Sequence, residues 1–282
     1  EDDVVCMRDF EYAKDKLLMG KERRSMVLSD EEKKMTAYHE AGHAIVGSLL
    51  PETDPLHKVT IIPRGRALGV TMFLPEEDKH SKSRTALESQ ICMSMGGRAA
   101  ELLIFGNYTT GAAQDIKQAT QVARSMVCRL GMSERIGPVA VGDQSQEVFI
   151  GREWISNRDH SEETSRVVDA EIKRLVEAGM QRAEEILRAH LDALHNVAGA
   201  LLERETINGA ELKLLMDGQS LPPPAAQEER RPRREPAGDE DEGFLIEVDD
   251  ALPGAKKTKR RKKPAAIIED DEPPPGDKGP LQ

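Results

Sequence analysis

Prolines and aromatic residues are distributed unevenly along this chain of 282 residues, and their distribution limits where a hydrophobic core can form. Eleven of the 16 prolines lie in residues 219–282, where Phe244 is the only aromatic residue. Such a segment cannot bury enough apolar surface to offset the conformational entropy that it loses on ordering. We therefore expect a disordered C-terminal tail over residues 219–282 and one folded region before it.

The composition also argues against several classes of protein. The formal net charge of -11 disfavours a nucleic-acid binder, which needs a concentrated basic surface. Cys6, Cys92 and Cys128 show no paired spacing, which favours a reducing compartment over a disulfide framework. The apolar stretch at residues 44–50 is far shorter than the roughly 20 residues that span a bilayer, so no transmembrane segment is predicted in this chain.

Hydrophobic periodicity predicts a mainly α-helical domain with a small antiparallel sheet. Ser29 followed by Glu32 forms a capping-box signature, and apolar residues then recur at helical spacing until Pro51. The β-prone runs at residues 59–62 and 70–74 predict two short strands joined by a glycine-containing link. Further helices are predicted at residues 8–20, 83–105, 115–130, 161–204 with a break near His190, and 209–216.

Two histidines lie one helical turn apart in the segment His39-Glu40-Ala41-Gly42-His43. Residues at positions i and i+4 share a helix face, so both imidazoles can reach one ion. Imidazole suits Zn²⁺, and a catalytic zinc combines three protein ligands with a water molecule whose pKa it lowers to about 7. Glu40 is then placed to take a proton from that water as general base. The alternative is a chance occurrence, which the position within a predicted helix disfavours.

A third metal ligand is required, and the sequence spacing leaves several candidates open. Asp115 lies in the first turn of a predicted helix, where the helix dipole favours a carboxylate, although an ordinary N-terminal helix carboxylate is the alternative. Glu101 lies among apolar residues, where it either accepts a hydrogen bond from a ligand imidazole or faces solvent. The remaining candidates are isolated histidines, which are more often surface or core residues: His57, His80, His160, His190 and His195.

Two other features are interpreted without a catalytic role. Trp154 and the methionines of the predicted helices have the spacing of packing residues, so no cofactor besides zinc is expected. The basic run at residues 256–263 could contact anionic lipid or nucleic acid, but such runs are more often solvated linkers.

Five segments form a set of motifs that occur together in one protein family. They are residues 19–25 (MGKERRS), 36–44 (TAYHEAGHA), 58–65 (KVTIIPRG), 96–101 (GGRAAE) and 110–116 (TGAAQDI). On these motifs, the chain from about residue 9 to residue 223 resembles the proteolytic domain of the FtsH family of membrane-anchored, ATP-dependent zinc metalloproteases. The resemblance implies a helical zinc-metalloprotease domain with a small β-sheet.

The resemblance also implies roles for individual residues. Asp115 is implied to complete a site for one Zn²⁺ per chain together with His39 and His43. Glu101 is implied to support a ligand histidine without binding the metal itself. With the tail, this gives three expected parts: residues 1–27 as the end of an ATPase lid and a linker, residues 28–218 as the zinc metallopeptidase domain, and residues 219–282 as the tail.

For the whole protein, the resemblance implies a homohexamer in which an ATPase ring on the same polypeptide uses ATP to unfold substrates. The expected substrates are unfolded and membrane proteins, and no nucleic acid is expected as a partner. N-terminal membrane segments would anchor the protein at the cytoplasmic face of the bacterial plasma membrane. This chain begins with Glu1 and contains neither those segments nor a Walker P-loop, so we expect a fragment of a longer protein.

Two functions from different classes are compatible with these residues. The first is endopeptidase activity, in which zinc activates water and Glu40 handles the protons. The second is a chaperone or assembly module with a structural metal, and the presence of Glu40 argues against it. The predicted strands at residues 59–62 and 70–74 either bind an extended substrate as a further strand or form a plain hairpin beside the helix.

Overall fold

The computed structural model describes residues 5–26, 28–65, 67–142, 149–150, 153–154 and 160–223. In this part of the chain the predicted fold class, mainly helical with a small sheet, is confirmed. The expected tail lies outside the described residues from residue 224 onward, as does the basic run at residues 256–263. The helices are α1 (Met7–Met19), α2 (Asp30–Leu49), α3 (Arg84–Phe105), α4 (Ala113–Cys128), α5 (Glu162–Ala189), α6 (Leu191–Arg204) and α7 (Gly209–Met216).

Helix α2 carries the histidine pair, and its ends are those that the sequence predicts. The Ser29 hydroxyl accepts a hydrogen bond from the backbone N–H of Glu32 at 3.2 Å. The Glu32 carboxylate in turn accepts one from the backbone N–H of Ser29 at 3.2 Å. These reciprocal bonds satisfy donors that have no partner within the first turn of a helix. Leu50 then adopts an extended conformation before Pro51, so the helix cannot continue.

Helices α2 and α3 touch backbone to backbone at two glycines. A Cβ atom added to Gly42 would lie 2.4 Å from the carbonyl oxygen of Gly96, and one added to Gly96 would lie 2.7 Å from the carbonyl oxygen of Gly42. Any side chain at either position would push the helices apart, because these distances are shorter than van der Waals contact. This close approach brings the histidine face of α2 against α3.

The core forms around α3, which packs against α2, α4 and α5, while α6 covers another side of α2. The long helical pattern after residue 161 is interrupted at His190, which has non-helical dihedral angles between α5 and α6, so the predicted break is confirmed. Apolar side chains from all of these helices are fully buried together: Ile45, Ile91, Met95, Met126, Leu187, Leu194 and Leu201.

The sheet beside α2 contains strands β1 (Leu56–Thr60), β2 (Val70–Phe73) and β5 (Thr206–Asn208), in the order β2-β1-β5 and antiparallel throughout. The predicted bounds 59–62 for the first strand were wrong. The ladder begins at Leu56, and the apolar run continues past the strand because Ile61 and Ile62 are buried in the core. Strand β5 is absent from the sequence prediction because three residues show no alternating pattern. A short hairpin, β3 (Phe149–Ile150) with β4 (Glu153–Trp154), is also present.

Helix α1 attaches to this sheet through a buried carboxylate. Asp15 accepts hydrogen bonds from Nε2 of His57 at 3.2 Å and from the ammonium group of Lys58, both on β1. The predicted helix is confirmed, but the apolar side chains of Phe10 and Leu17 are 63% and 85% exposed. Polar contacts of Asp15 therefore attach α1 to β1, although Met19 at the end of α1 is also buried.

The chain after α7 remains in contact with the folded domain as far as residue 222. Leu221 packs against the core, and the carbonyl oxygen of Pro222 accepts a hydrogen bond from Nη2 of Arg204 at 2.5 Å. Within the described ranges, no helix combines the length and the hydropathy that crossing a bilayer requires.

Candidate metal centre

Three donor atoms from two helices meet beside the close contact of α2 and α3. Nε2 of His39 and Nε2 of His43 lie 3.1 Å apart, one turn from each other on α2. Oδ2 of Asp115, in the first turn of α4, lies 3.2 Å from Nε2 of His39 and 3.5 Å from Nε2 of His43. The potential ligand atoms of the three residues all lie within 4.8 Å of one another. No other such group of three occurs among the described residues.

This donor set fits a zinc ion. Two imidazole nitrogens and one carboxylate oxygen are typical of a catalytic zinc, which keeps a further position for water or substrate. Gly97 on α3 leaves the necessary room, because a Cβ atom there would lie 2.5 Å from Nε2 of His39 and 2.6 Å from Nε2 of His43. The site therefore combines suitable ligands with space that only glycine provides.

The second nitrogen of each imidazole has its own hydrogen-bond partner. Nδ1 of His43 lies 2.8 Å from the backbone carbonyl oxygen of Met93. A carbonyl oxygen only accepts, so Nδ1 of His43 carries the proton and Nε2 is the nitrogen that can bind a metal. Nδ1 of His39 donates to Oε1 of Glu101 at 2.7 Å, which directs Nε2 of His39 towards Asp115 in the same way.

Glu101 is held away from the cluster of donor atoms. Its side chain is almost fully buried, and Oε2 accepts a hydrogen bond from the backbone N–H of Thr109 at 2.9 Å. The Thr109 hydroxyl donates to Oε1 at 3.1 Å. Burial raises the pKa of Glu101, but hydrogen bonds from His39 and Thr109 outweigh it, so that pKa lies below its usual value. Glu101 therefore presents an ionised carboxylate to His39.

The electrostatics of the metal-free cluster are dominated by its carboxylates. Burial lowers the pKa of His39, but hydrogen bonds to Asp115 and Glu101 reverse this and raise it from 6.5 to about 10. Burial raises the pKa of Asp115, and the contacts of its carboxylate with the imidazoles of His39 and His43 bring that pKa well below its usual value instead. Binding of a metal ion to Nε2 of His39 therefore competes with binding of a proton to the same nitrogen.

Glu40 lies beside the donor cluster and contacts the segment that forms strand β2. It is 6% exposed, and Oε2 accepts a hydrogen bond from the Thr71 hydroxyl at 2.6 Å. Gly69 lies against the same side chain, since a Cβ atom there would be 2.7 Å from Cγ and Oε1 of Glu40. Glu40 thus follows the candidate ligand His39 directly in the sequence but is not itself one of the potential ligands.

The structure separates the remaining candidate histidines from the cluster. His57 contacts Asp15, Nδ1 of His190 contacts the carbonyl oxygen of Ile186, and His195 shares a hydrogen bond of 2.9 Å with the Tyr38 hydroxyl. His80 and His160 are not part of any potential metal-binding group in the described chain. Thr71 and Thr109 were not predicted as site residues, because a single threonine carries no recognisable spacing.

Comparison with known proteins agrees with this geometry. The family model described as peptidase family M41 matches residues 26–215. The chain belongs to peptidase family M41. The M41 match spans α2, α3 and α4, which together carry every residue of the candidate metal centre, and the resemblance to the FtsH family drawn from the motifs is confirmed.

Three relatives of this M41 chain are named ATP-dependent zinc metalloprotease FtsH. The protein from Acidobacterium capsulatum is 53% identical over 219 residues, which cover 78% of this chain and 34% of the relative. The protein from Magnetococcus marinus is 53% identical over 216 residues, with 77% and 32% covered. The protein from Myxococcus xanthus is 51% identical over 217 residues, with 77% and 34% covered. The M41 chain thus spans about a third of the length of these relatives and carries a zinc metallopeptidase domain.

Replacing Gly97 with alanine tests whether the glycine keeps the M41 metal site open. The added methyl group would overlap both imidazole rings, so the rings must leave the positions in which they approach Asp115. We expect the zinc affinity of Gly97→Ala to fall by about 10- to 100-fold, the range found when the residues that orient a ligand are lost. Competition with a fluorescent zinc chelator measures this change.

The matched control is Gly199→Ala, because a Cβ atom on Gly199 of α6 meets no atom within 4 Å. It should keep the zinc affinity of the unmodified chain. Equal affinities in the two variants would contradict the argument that Gly97 provides space for the imidazoles.

Proposed function

We propose that this chain is the zinc-dependent endopeptidase part of an ATP-dependent protease, and that it hydrolyses peptide bonds within unfolded proteins. The observation that carries the proposal is the convergence of His39, His43 and Asp115 on one point, with Glu40 beside it. In the proposal, His39, His43 and Asp115 hold one Zn²⁺, and Glu101 keeps His39 oriented through the hydrogen bond to Nδ1.

Each residue has a separate task in the proposed reaction. A bound zinc supplies Lewis-acid chemistry, because it activates a water molecule and polarises the peptide carbonyl. Glu40 accepts the proton that the water loses and donates it to the amine that leaves. The Nδ1 contacts of His39 and His43 keep both Nε2 atoms directed at the same point.

The proposed binding site for the substrate is strand β2. In the described sheet β2 pairs with β1 alone, so its other edge has backbone groups that an extended peptide can pair with. A cavity of about 440 Å³ opens at this strand, and Met72, Phe73 and Met93 are among the residues that line it. Pairing through the main chain accepts many sequences, and the apolar part of the cavity suits an apolar side chain. The alternative role of β2, as a plain hairpin strand, requires no such cavity.

For the whole protein we propose the assembly that the FtsH resemblance implies. An ATPase on the same polypeptide, outside this chain, would use ATP to unfold substrates for a homohexamer of protease domains. Segments outside this chain would anchor the protein at the cytoplasmic face of the bacterial plasma membrane, where unfolded and membrane proteins are the substrates. Residues 1–27 would join the two activities. The names of these relatives and their greater length support this proposal.

Removal and restoration of zinc test the proposed reaction. We expect the purified chain to contain about one zinc ion and to cleave casein, an unfolded protein. Dialysis against dipicolinate should abolish cleavage, since the water then loses its activating ion. Zinc should restore the activity and magnesium should not, because Mg²⁺ prefers an all-oxygen octahedral site. Full cleavage by protein that metal analysis shows to be zinc-free would contradict the proposed reaction.

A further inference from the structure

Two residues contact the Glu40 side chain from the same face of one extended segment: Thr71 in strand β2 and Gly69 directly before it. The Thr71 hydroxyl lies 2.6 Å from Oε2 of Glu40 and 3.1 Å from its backbone carbonyl oxygen. Gly69, directly before the strand, lies against Cγ and Oε1 of the same side chain. Residues at positions i and i+2 of an extended segment face the same way, so Gly69 and Thr71 approach the carboxylate together. The chain leading into β2 thus has the spacing needed to fix one orientation of Glu40.

The position of Thr71 is itself set by the core. Thr71 pairs with Val59 on β1, and Val59 pairs with Ile207 on β5. Both Val59 and Ile207 are 0% exposed, so the strand behind Thr71 is anchored in the packed interior. A hydroxyl on such a strand holds a fixed place relative to α2. The side chain of Glu40 has several rotatable bonds, and a hydrogen bond from a fixed donor restricts them.

We propose that Thr71 is a positioning residue for Glu40. Its hydroxyl donates to Oε2, so that Oε1 remains available to take the proton from water, and it ties the base to the strand at which the substrate is proposed to bind. This inference rests on the proposed function, because it assigns to Glu40 the role of general base. A hydroxyl that donates to a charged carboxylate makes one of the stronger hydrogen bonds in proteins.

The test compares Thr71→Val, Thr71→Ser and the unmodified chain in steady-state cleavage of a fluorogenic peptide. Valine keeps the shape and the strand preference of threonine but cannot donate. We expect Thr71→Val to lower kcat by about 10- to 100-fold, as the loss of a hydrogen bond to a charged group predicts. KM should stay within about threefold, because the lost contact is to Glu40 and not to the substrate. Thr71→Ser restores the donor and should recover most of kcat.

Two further measurements separate positioning from a general loss of structure. Thr60→Val is the matched control, since the Thr60 hydroxyl bonds to Thr206 at 2.8 Å in the same sheet and makes no contact with Glu40. It should lower the melting temperature while leaving kcat nearly intact. In the Glu40→Gln background, adding Thr71→Val should not change the affinity for the peptide, as measured by fluorescence anisotropy. Zinc content should stay the same in all of these variants.

The outcomes distinguish this inference from the proposed function. If the unmodified zinc-loaded chain cleaves nothing, the proposed function fails first. If it cleaves the peptide and Thr71→Val has the same kcat, Thr71 does not position the base. A rise in KM at constant kcat would make Thr71 a substrate-binding residue, and a fall in kcat that Thr71→Ser does not recover would mean that the hydroxyl is not the cause. Either result overturns the inference.

Discussion

A Glu40→Gln variant is expected to keep its zinc and its fold while losing casein cleavage by about 10²- to 10⁴-fold, the usual contribution of a general base. Glutamine has the shape of glutamate and can still accept the hydrogen bond from Thr71, but it cannot take a proton from water. Because Glu40 lies outside the group of potential ligands, its charge is not needed to hold the metal. Initial rates with fluorescent casein and zinc analysis of the same sample measure both effects.

Glu31→Gln is the matched control for this experiment, because Glu31 is an exposed glutamate on the first turn of α2. It removes one negative charge from the same helix and should cleave casein at the rate of the unmodified chain. A Glu40→Gln variant as active as Glu31→Gln would show that the proton acceptor is another group.

The second large effect is expected from Asp115→Ala, which should lose nearly all of its zinc on dialysis. Alanine removes the only carboxylate oxygen of the donor cluster and leaves two imidazoles, which are too few for a zinc site with three protein ligands. It also leaves the α2 imidazoles without the anion that balances a divalent cation. Metal analysis after dialysis, with circular dichroism to confirm the helices, measures the loss.

Glu101→Gln provides the comparison between a residue that binds the metal and a residue that only hydrogen-bonds to a metal ligand. Glutamine at this position can still accept the hydrogen bond from Nδ1 of His39, so His39 keeps its orientation. The expected loss of zinc affinity is about 10-fold, the lower end of the range for residues that support a ligand, because the amide lacks the negative charge that makes His39 a more basic ligand. Glu101→Gln should therefore retain much more zinc than Asp115→Ala under the same dialysis. The reverse order would make Glu101 the third ligand.

The histidine pair could be predicted from the sequence because its geometry is local. His39 and His43 share one helix, and the capping box at Ser29 and the stop at Pro51 fix that helix by short-range rules. The third candidate ligand could not be chosen in this way, because Asp115 lies on another helix and meets the pair only through the packing of α2, α3 and α4. Its position in the first turn of a predicted helix made Asp115 one candidate among several, and the family resemblance ranked it first.

Long-range pairing explains what the sequence prediction missed. Strand β1 starts at Leu56 because Leu56 pairs with Phe73 of β2, whereas local β propensity favoured the more apolar residues that follow. Strand β5 is too short for a periodic signal. It forms because its backbone pairs with the edge of β1 that β2 does not occupy. The contact between Thr71 and Glu40 joins a strand to a helix, so no spacing along the chain could predict it.

The most direct test of the metal centre is anomalous scattering at the zinc absorption edge from crystals grown without added metal. We predict one strong anomalous peak within bonding distance of Nε2 of His39, Nε2 of His43 and a carboxylate oxygen of Asp115, with Glu40 and Glu101 outside that distance. Protein purified with ample zinc whose crystals show no peak between these three side chains, or show it at another site, would contradict the account.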